Sequence, residues 1–370
     1  MPIFMDRHEV PGLTAQDVAE AHSQDLAIQH RYECRAITYW YDNIRETAFC
    51  LIEAPREQAV KKLHEASHGL IPNKIIQVDR DVLEAFLGRI RDPASGQDAD
   101  FQELINPAFR TVMVTALDET AMMQLLTKDE NGGESLREFH DLVEETVSKF
   151  DGNPTRRTDG NHIASFTSLS GTIECALELH TRIREFNSPQ SDATIQGSIG
   201  LNAGEPVGES EDIFGDVTRF AIRLCYIADP GQTLLSSTVR DQYHREAFER
   251  ISAENTVRSF NPEEEEFLNR VMAVLESGWN EEKFNVGALS RMTGVSRSQL
   301  YRKLTAVTGK SPNDFIQEYR LVKARELIGK QQDNISQIAF ASGFNSPSYF
   351  SKCFRELFGV LPSTYARALE

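Results

Sequence analysis

Apolar and polar positions change their rhythm along this chain, and each change predicts a different kind of structure. Over residues 3–79, short apolar runs alternate with amphipathic ones. "PIFMDRHEV", "CRAITYWYD", "TAFCLIEA" and "KIIQVD" have the β-branched and aromatic content of strands. Between them, "TAQDVAEAHSQDLAIQH" opens with the N-cap candidate Thr14, and "PREQAVKKLHEASHG" has Pro55 near its start and Gly69 just past its end, so both predict helices. The order β-α-β-β-α-β predicts a ferredoxin-like domain over residues 1–80. "RDPASGQDAD" is polar and broken by Pro and Gly, and residues 81–104 read as a linker. Residues 105–258 predict a second α/β domain, with strands such as "RTVMVTAL" and "IQGSIGLNAG" between helices such as "GTIECALELHTRIREF". From Pro262 onward strand signals vanish, and "NPEEEEFLNRVMAVLESGW" begins an all-helical domain over residues 262–370, its glutamates at the positive end of the first helix. The predicted class is a multidomain chain: two α/β domains followed by an all-α domain.

The helical part repeats itself at an offset of 49 residues. "NVGALSRMTG" (285–294) aligns with "NISQIAFASG" (334–343). Each copy continues into a polar helix start and ends in G-x-x-P with an aromatic, Phe315 or Tyr365, three residues past the proline. A short helix, a tight turn containing Gly, and a second helix with an exposed face of Ser, Arg, Gln, Tyr and Lys is the helix-turn-helix layout. Between the copies, "SPNDFIQEYRLVKARELIGK" predicts one helix of roughly 28 Å at 1.5 Å per residue, close to the ~34 Å repeat of duplex DNA. Such a helix would set the two second helices in successive major grooves. Leu300, Leu304, Phe350 and Phe354 are predicted core positions on those helices.

Charge supports this division of labour. The chain carries a net −17, which taken whole argues against a nucleic-acid partner. Residues 283–370, however, hold 13 Lys and Arg against 6 Asp and Glu, a balance of +7, and leave −24 on the rest. A basic end on an acidic body points to double-stranded DNA as a partner of the C-terminal part alone, and counts against a purely oligomerising helical module. The N-terminus has charged residues where a signal peptide needs an apolar run, and no stretch approaches a membrane span, so a cytoplasmic protein with no membrane partner is expected. Five scattered cysteines, never in C-x-x-C spacing, read as reduced thiols.

The segment "ISQIAFASGFNSPSYFSKCFRELFGVLPSTYA" resembles the second helix-turn-helix of the AraC/XylS family of bacterial transcription regulators, and the likeness extends over residues 262–370. The resemblance implies sequence-specific DNA binding by a homodimeric regulator. Base readers would be Arg297, Ser298, Gln299, Tyr301 and Arg302 in the first unit, with Ser348, Tyr349, Ser351 and Lys352 in the second. Arg302 is suited to a bidentate pair with guanine, while Lys303 and Arg355 are placed to hold phosphates.

"GSIGLNAGEPVGESEDIFGDVTRFAIRLCYIADPGQTLLSSTVRDQ" resembles class III nucleotide cyclase domains, which hold two metal ions on two carboxylates. Here the first carboxylate position carries Ala116, and the second falls in Asp159-Gly160-Asn161 where Gly-Asp-Gly is expected. Arg219 stands at the Asn position, and Arg223 matches the family's Arg. Without both carboxylates the two-metal mechanism has no cation site. Asp118, two residues past the first position, and Asp159, one residue from register, keep a cyclase-like signalling enzyme open as an alternative. The expected reading is a degenerate domain with no catalytic residues.

Five of the nine histidines fall in the first 68 residues. His64-Glu65-x-x-His68 has the spacing with which zinc peptidases present two imidazoles and a general base, so a metallopeptidase is a second enzymatic alternative. Peptidase chemistry also needs a third ligand, an open water position and a cleft, and the predicted helix stops at Gly69. "MPIFMDRHEVPG", "TYWYD", "AFCLIEAP" and "HEASHGLIP" instead resemble small ferredoxin-like proteins described as nickel-binding. His8, His22, His64 and His68 are the candidate ligands for a transition-metal ion, nickel or zinc, with the alternative that some are surface or hydrogen-bonded core histidines. The expected protein is a DNA-binding regulator, not an enzyme, whose N-terminal domains sense a metal ion or small-molecule effector.

Overall fold

The computed structural model describes residues 1–88, 90–91, 107–117, 132–158, 161–187, 195–243, 256–330 and 334–368. Strand β1 (Ile3–Glu9) runs between β3 (Thr47–Glu53) and β4 (Lys74–Val78), with β2 (Arg35–Asp42) outside β3, all antiparallel. Helices α1 (Ala15–Ile28) and α2 (Glu57–Ser67) pack on one face of this sheet. Order and connections are those of a ferredoxin-like fold. Thr14 caps α1 through a capping box with Asp17. Side-chain alternation divides β1 between two environments. Phe4, Asp6 and His8 are buried towards the helices, whereas Met5 joins a core on the other face and Arg7 reaches Glu205 of the next unit, 3.0 Å away.

Helix α3 (Arg80–Leu87) is capped by the Asp79 carboxylate and stopped by Gly88 at φ 71°. It occupies the front of the segment read as linker, and Leu83, Phe86 and Leu87 are buried in the core shared with the middle unit. Its pattern is apolar on one side only, too short to register as a periodic run.

The middle unit is a six-stranded sheet of order β10-β9-β8-β5-β7-β6. Its strands are β5 (Arg110–Leu117), β6 (Asn153–Thr158), β7 (Asn161–Phe166), β8 (Gly197–Gly204), β9 (Thr233–Leu235) and β10 (Val257–Ser259). The β8-β5-β7-β6 portion is antiparallel, and β8-β9-β10 is parallel. Helices α4 (Gly132–Lys149) and α5 (Leu169–Phe186) cover one face around Phe139, Phe166, Ile173 and Leu179. Helix α6 (Gly215–Ile227) lies on the other, so close to β8 that a Cβ at Gly200 would collide with the backbone of Ala221 and Cys225. A short α7 (Ser237–Gln242) follows β9.

The C-terminal part is helical throughout: α8 (Pro262–Gly278), α9 (Val286–Thr293), α10 (Arg297–Thr308), α11 (Pro312–Gly329), α12 (Ile335–Ala341), α13 (Pro347–Phe358) and α14 (Pro362–Ala368). The turn glycines of the two repeats, Gly294 and Gly343, sit at φ 73° and 75°, where a side chain would be strained.

Helix α6 belongs to two cores at once. Val217, Ala221 and Cys225, spaced by four, face the core that contains Met5, Trp40 and Phe49 of the first sheet. Phe220, Leu224 and Ile227 face a core built with Phe267, Leu300, Leu304 and Phe315. Burial is therefore continuous from the N-terminal sheet to the first helix-turn-helix unit.

Candidate functional site

In the first domain the chain brings three of the four candidate histidines together with residues that sequence reasoning missed. His64 is fully buried on α2, its Nε2 2.8 Å from Asp6 Oδ2 and its Nδ1 3.1 Å from Asp25 Oδ2. His68 caps that helix, its Nε2 2.9 Å from His64 Nδ1 and 3.3 Å from Asp25 Oδ2. Two residues along β1 and on the same face, His8 Nε2 lies 3.2 Å from Asp6 Oδ1. Two overlapping donor groups result, Asp6-His8-Cys50-His64 and Asp25-His64-His68, each with ligand atoms within 4.8 Å of one another. His22 is buried against the Tyr39 ring, centroids 5.0 Å apart, and belongs to neither group. Glu65 is exposed, turned away from the face that buries His64, so it does not point at an ion held there as a peptidase base must.

The missed residues had a signal in the pattern. Asp6 sits on the same strand face as Phe4 and His8, and Asp25 continues the buried stripe Ala15, Val18, His22 of α1, so each is an acid where an apolar residue is expected. Cys50 alternates with Ile52 towards the helices.

Electrostatics bind the cluster together. Burial opposes ionisation of Asp6, but the His8 and His64 charges and hydrogen bonds hold its carboxyl well below the usual range. Burial likewise works against Asp25, which hydrogen bonds from His64, His68 and Ser67 bring down. For His64, burial works against the cation, but the Asp6 charge and bonds to Asp25 and Asp6 outweigh it and raise the imidazole to about 10. Burial, with the charges of Asp6 and Asp25, pushes the Cys50 thiol well up. His68 Nδ1 accepts the Leu70 amide, so its neutral form carries the proton on Nε2, facing Asp25 and His64. Imidazole, carboxylate and thiolate together suit a borderline ion such as nickel or zinc, and donors this close fit bonds of about 2.0–2.3 Å. Asp6, His8, Cys50 and His64 would hold such an ion, displacing protons from His64 and Cys50.

At the other end, the two helix-turn-helix units present α10 and α13. Leu300, Leu304, Phe350 and Phe354 are fully buried, which turns the opposite faces outward. Arg297, Ser298, Gln299, Tyr301, Arg302 and Lys303 are exposed on α10. Ser348, Tyr349, Lys352 and Arg355 are exposed on α13, with Ser351 half-buried. Two of these lie beside neighbouring elements: the Arg297 guanidinium passes next to Gly287 of α9, and Lys303 Nζ lies 5.6 Å from the centroid of the Phe267 ring. The Tyr349 hydroxyl donates to Gln317 Oε1 of α11 at 3.2 Å, tying the second unit to the connecting helix.

In the middle unit, Ala116, Asn161, Arg219 and Arg223 line one cavity of about 650 Å³. Arg223 is spoken for: Glu276 of α8 holds it at 3.1 and 2.8 Å, and Asn269 at 2.6 Å. Asp118 and Asp159 lie outside the described residues. Among the described residues no helix is long and apolar enough to cross a membrane.

Comparison with known proteins divides the chain in the same way. Residues 289–368 match the family model described as a helix-turn-helix domain, and residues 4–78 the one described as nickel responsive protein SCO4226-like. A histidine kinase P4 from Formosa agariphila is 44% identical over 102 residues, 28% of this chain and 7% of that protein. A probable transcriptional regulator LumQ from Photobacterium leiognathi is 33% identical over 106 residues, 28% of this chain and 43% of that one. A putative adenylate cyclase 3 from Rhizobium meliloti is 27% identical over 138 residues, 36% of this chain and 24% of that protein. The chain thus spans less than half the length of each of these relatives. It joins an SCO4226-like domain of the nickel-responsive kind at residues 4–78, a nucleotide cyclase-like α/β unit, and an AraC-type helix-turn-helix domain at residues 289–368.

Proposed function

We propose that this chain is a sequence-specific DNA-binding transcription regulator whose N-terminal domain senses a transition-metal ion. One observation carries the DNA reading: two helix-turn-helix units, each with a buried core face and an exposed polar face, are joined by the 18-residue helix α11. At 1.5 Å per residue that helix spans about 27 Å, so both recognition faces can address one side of a duplex as a homodimer or alone. Arg297, Ser298, Gln299, Tyr301, Arg302, Ser348, Tyr349, Ser351 and Lys352 read base edges in this proposal, and Lys303 and Arg355 hold phosphates. The domains proposed to cooperate are residues 1–80, 105–258 and 262–370, acting in the cytoplasm and without a catalytic step. Support for the sensing role comes from the buried Asp6-His8-Cys50-His64 set. An ion there would rearrange the helix side of β1, whose opposite face packs on the middle unit.

The test starts from random duplexes selected on the purified chain. Arg302→Ala is expected to weaken the selected site by about 1–3 kcal/mol and relax preference at one base pair. If that variant bound its selected duplex like the parent, with the same base preference, the readout assignment would be wrong. Duplex affinity unaltered by nickel or zinc would remove the metal-sensing part.

A further inference from the structure

The two repeats finish their second helices differently. Gly309 and Gly359 close α10 and α13 at φ 72° and 75°, each glycine amide bonding the carbonyl four residues back. In its last turn α13 carries a cation of its own, Arg355. Counted from the closing glycine, α10 has Thr305 at that place, and its last turn holds no basic residue. A helix C-terminus leaves carbonyls without helical partners and carries partial negative charge, so a cation is favourable there.

Helix α10 takes that cation from the middle unit. Arg258 of β10 donates from Nη2 to the Ala306 carbonyl and from Nη1 to the Val307 carbonyl, each at 3.1 Å. With Gly309 on the Thr305 carbonyl, three consecutive carbonyls of the last turn are satisfied, two of them by one guanidinium. Arg258 is itself held in place. Its Cζ lies 5.1 Å from the centroid of the Phe260 ring, which is fully buried in the core that joins α6, α8 and α10. Arg240 of α7 donates to the Phe260 carbonyl at 3.1 Å. The second unit is built otherwise: among the described residues its core draws only on residues 321–366.

We infer that Arg258 is a positioning residue for DNA reading, holding the first recognition helix in its reading pose from the middle unit while the second stands on its own core. A helix end fixed before binding needs no ordering on the duplex, and releasing it adds that cost to association. Changes in the middle unit then reach the base pairs read by α10 and spare those read by α13. This role rests on the DNA-binding reading above.

The experiment uses the full chain and the duplex it selects from random sequence. Base pairs read by α10 are those where Arg302→Ala relaxes preference, and those read by α13 are marked in the same way by Lys352→Ala. Arg258→Ala is expected to weaken the duplex about tenfold and to relax preference at the first set only. Arg258→Lys should fall between, because an ammonium keeps the charge but does not fork to two carbonyls. In the free chain, hydrogen exchange of residues 305–309 should quicken in Arg258→Ala. Affinity, preference and exchange equal to the parent's overturn the positioning role. So does a loss spread evenly over both sets of base pairs, which marks a general destabilisation. A parent chain that selects no duplex sinks the DNA-binding reading and this role with it, which no result confined to the Arg258 variants can do.

Discussion

Replacing Gly343 by alanine should destabilise the DNA-binding half more than the same change at its repeat partner, Gly294. Both glycines close a helix-turn-helix at positive φ, 75° and 73°, where an alanine costs about 1–2 kcal/mol. Their surroundings differ. A Cβ at Gly294 meets nothing within 4 Å, whereas one at Gly343 would lie 2.9 Å from three atoms of the Arg320 guanidinium. Arg320 of α11 donates to the carbonyls of Trp279 at 2.7 Å, Glu281 at 2.8 Å and Phe284 at 3.0 Å, and so braces the connecting helix against the first unit. The guanidinium can swing from the new methyl, and the cost is then the bonds it leaves, about 1.5–3 kcal/mol for each charge-assisted bond lost without replacement. Gly343→Ala is therefore expected to cost about 3–5 kcal/mol and Gly294→Ala about 1–2. Urea unfolding followed by Trp279 fluorescence, in a Trp40→Phe background, measures both. Equal costs at the two glycines would refute the bracing role of Arg320. So would full additivity of Gly343→Ala with Arg320→Ala, because a shared interaction must be lost only once.

Other outcomes test the remaining sites. His180 is buried with its Nε2 2.8 Å from Thr233 Oγ1, and burial, helped by the Arg184 charge, lowers its pKa from 6.5 to about 4. The unfolded chain then binds a proton that the folded chain refuses between these values, so stability falls as pH drops from about 6.5 to 4, by about 3 kcal/mol in all. His180→Gln should remove that component from unfolding measured at pH 7, 5 and 4; an unchanged slope would count against it. In the first domain, His64→Ala and Asp6→Asn should each weaken nickel binding, read by calorimetry, by more than about tenfold, while Glu65→Gln leaves it unaltered. Loss of nickel binding in Glu65→Gln would make Glu65 a ligand and refute the donor set assigned here. Arg223→Met strands Glu276, whose side chain is 37% exposed and so recovers water, and should cost about 2 kcal/mol rather than the larger penalty of a fully buried pair. Limited proteolysis should then cut between α6 and α8 sooner, and unchanged digestion would discount the contact.

Much of the architecture follows from local rhythm. The alternation of β1 to β4 and the spacing of α1 and α2 prescribe a ferredoxin-like unit before any contact is known. The repeat at 49 residues marks two turns, and each falls on a glycine at positive φ. Leu300 and Phe350 stand at matching places in the repeats and are both fully buried. Helix α3 was not legible, since eight residues carry too little periodicity, and its burial depends on a sheet that follows it in the chain.

What the sequence by itself determined is the kind and order of the elements, the face of each that seeks burial, and the chemistry of the basic end, because these depend on residues a few places apart. Only the tertiary structure decided which faces meet. Asp6, Asp25, Cys50 and His64 are dispersed along the chain, and it takes the pairing of β1 with β3 and the docking of α1 and α2 to gather them. The same holds for α6, whose two apolar stripes are legible as a wide amphipathic face but whose partners, one sheet and one helix bundle, are chosen by packing. Contacts between distant segments reward burial and charge pairing only once the chain has closed the loops between them, and no local pattern encodes that choice.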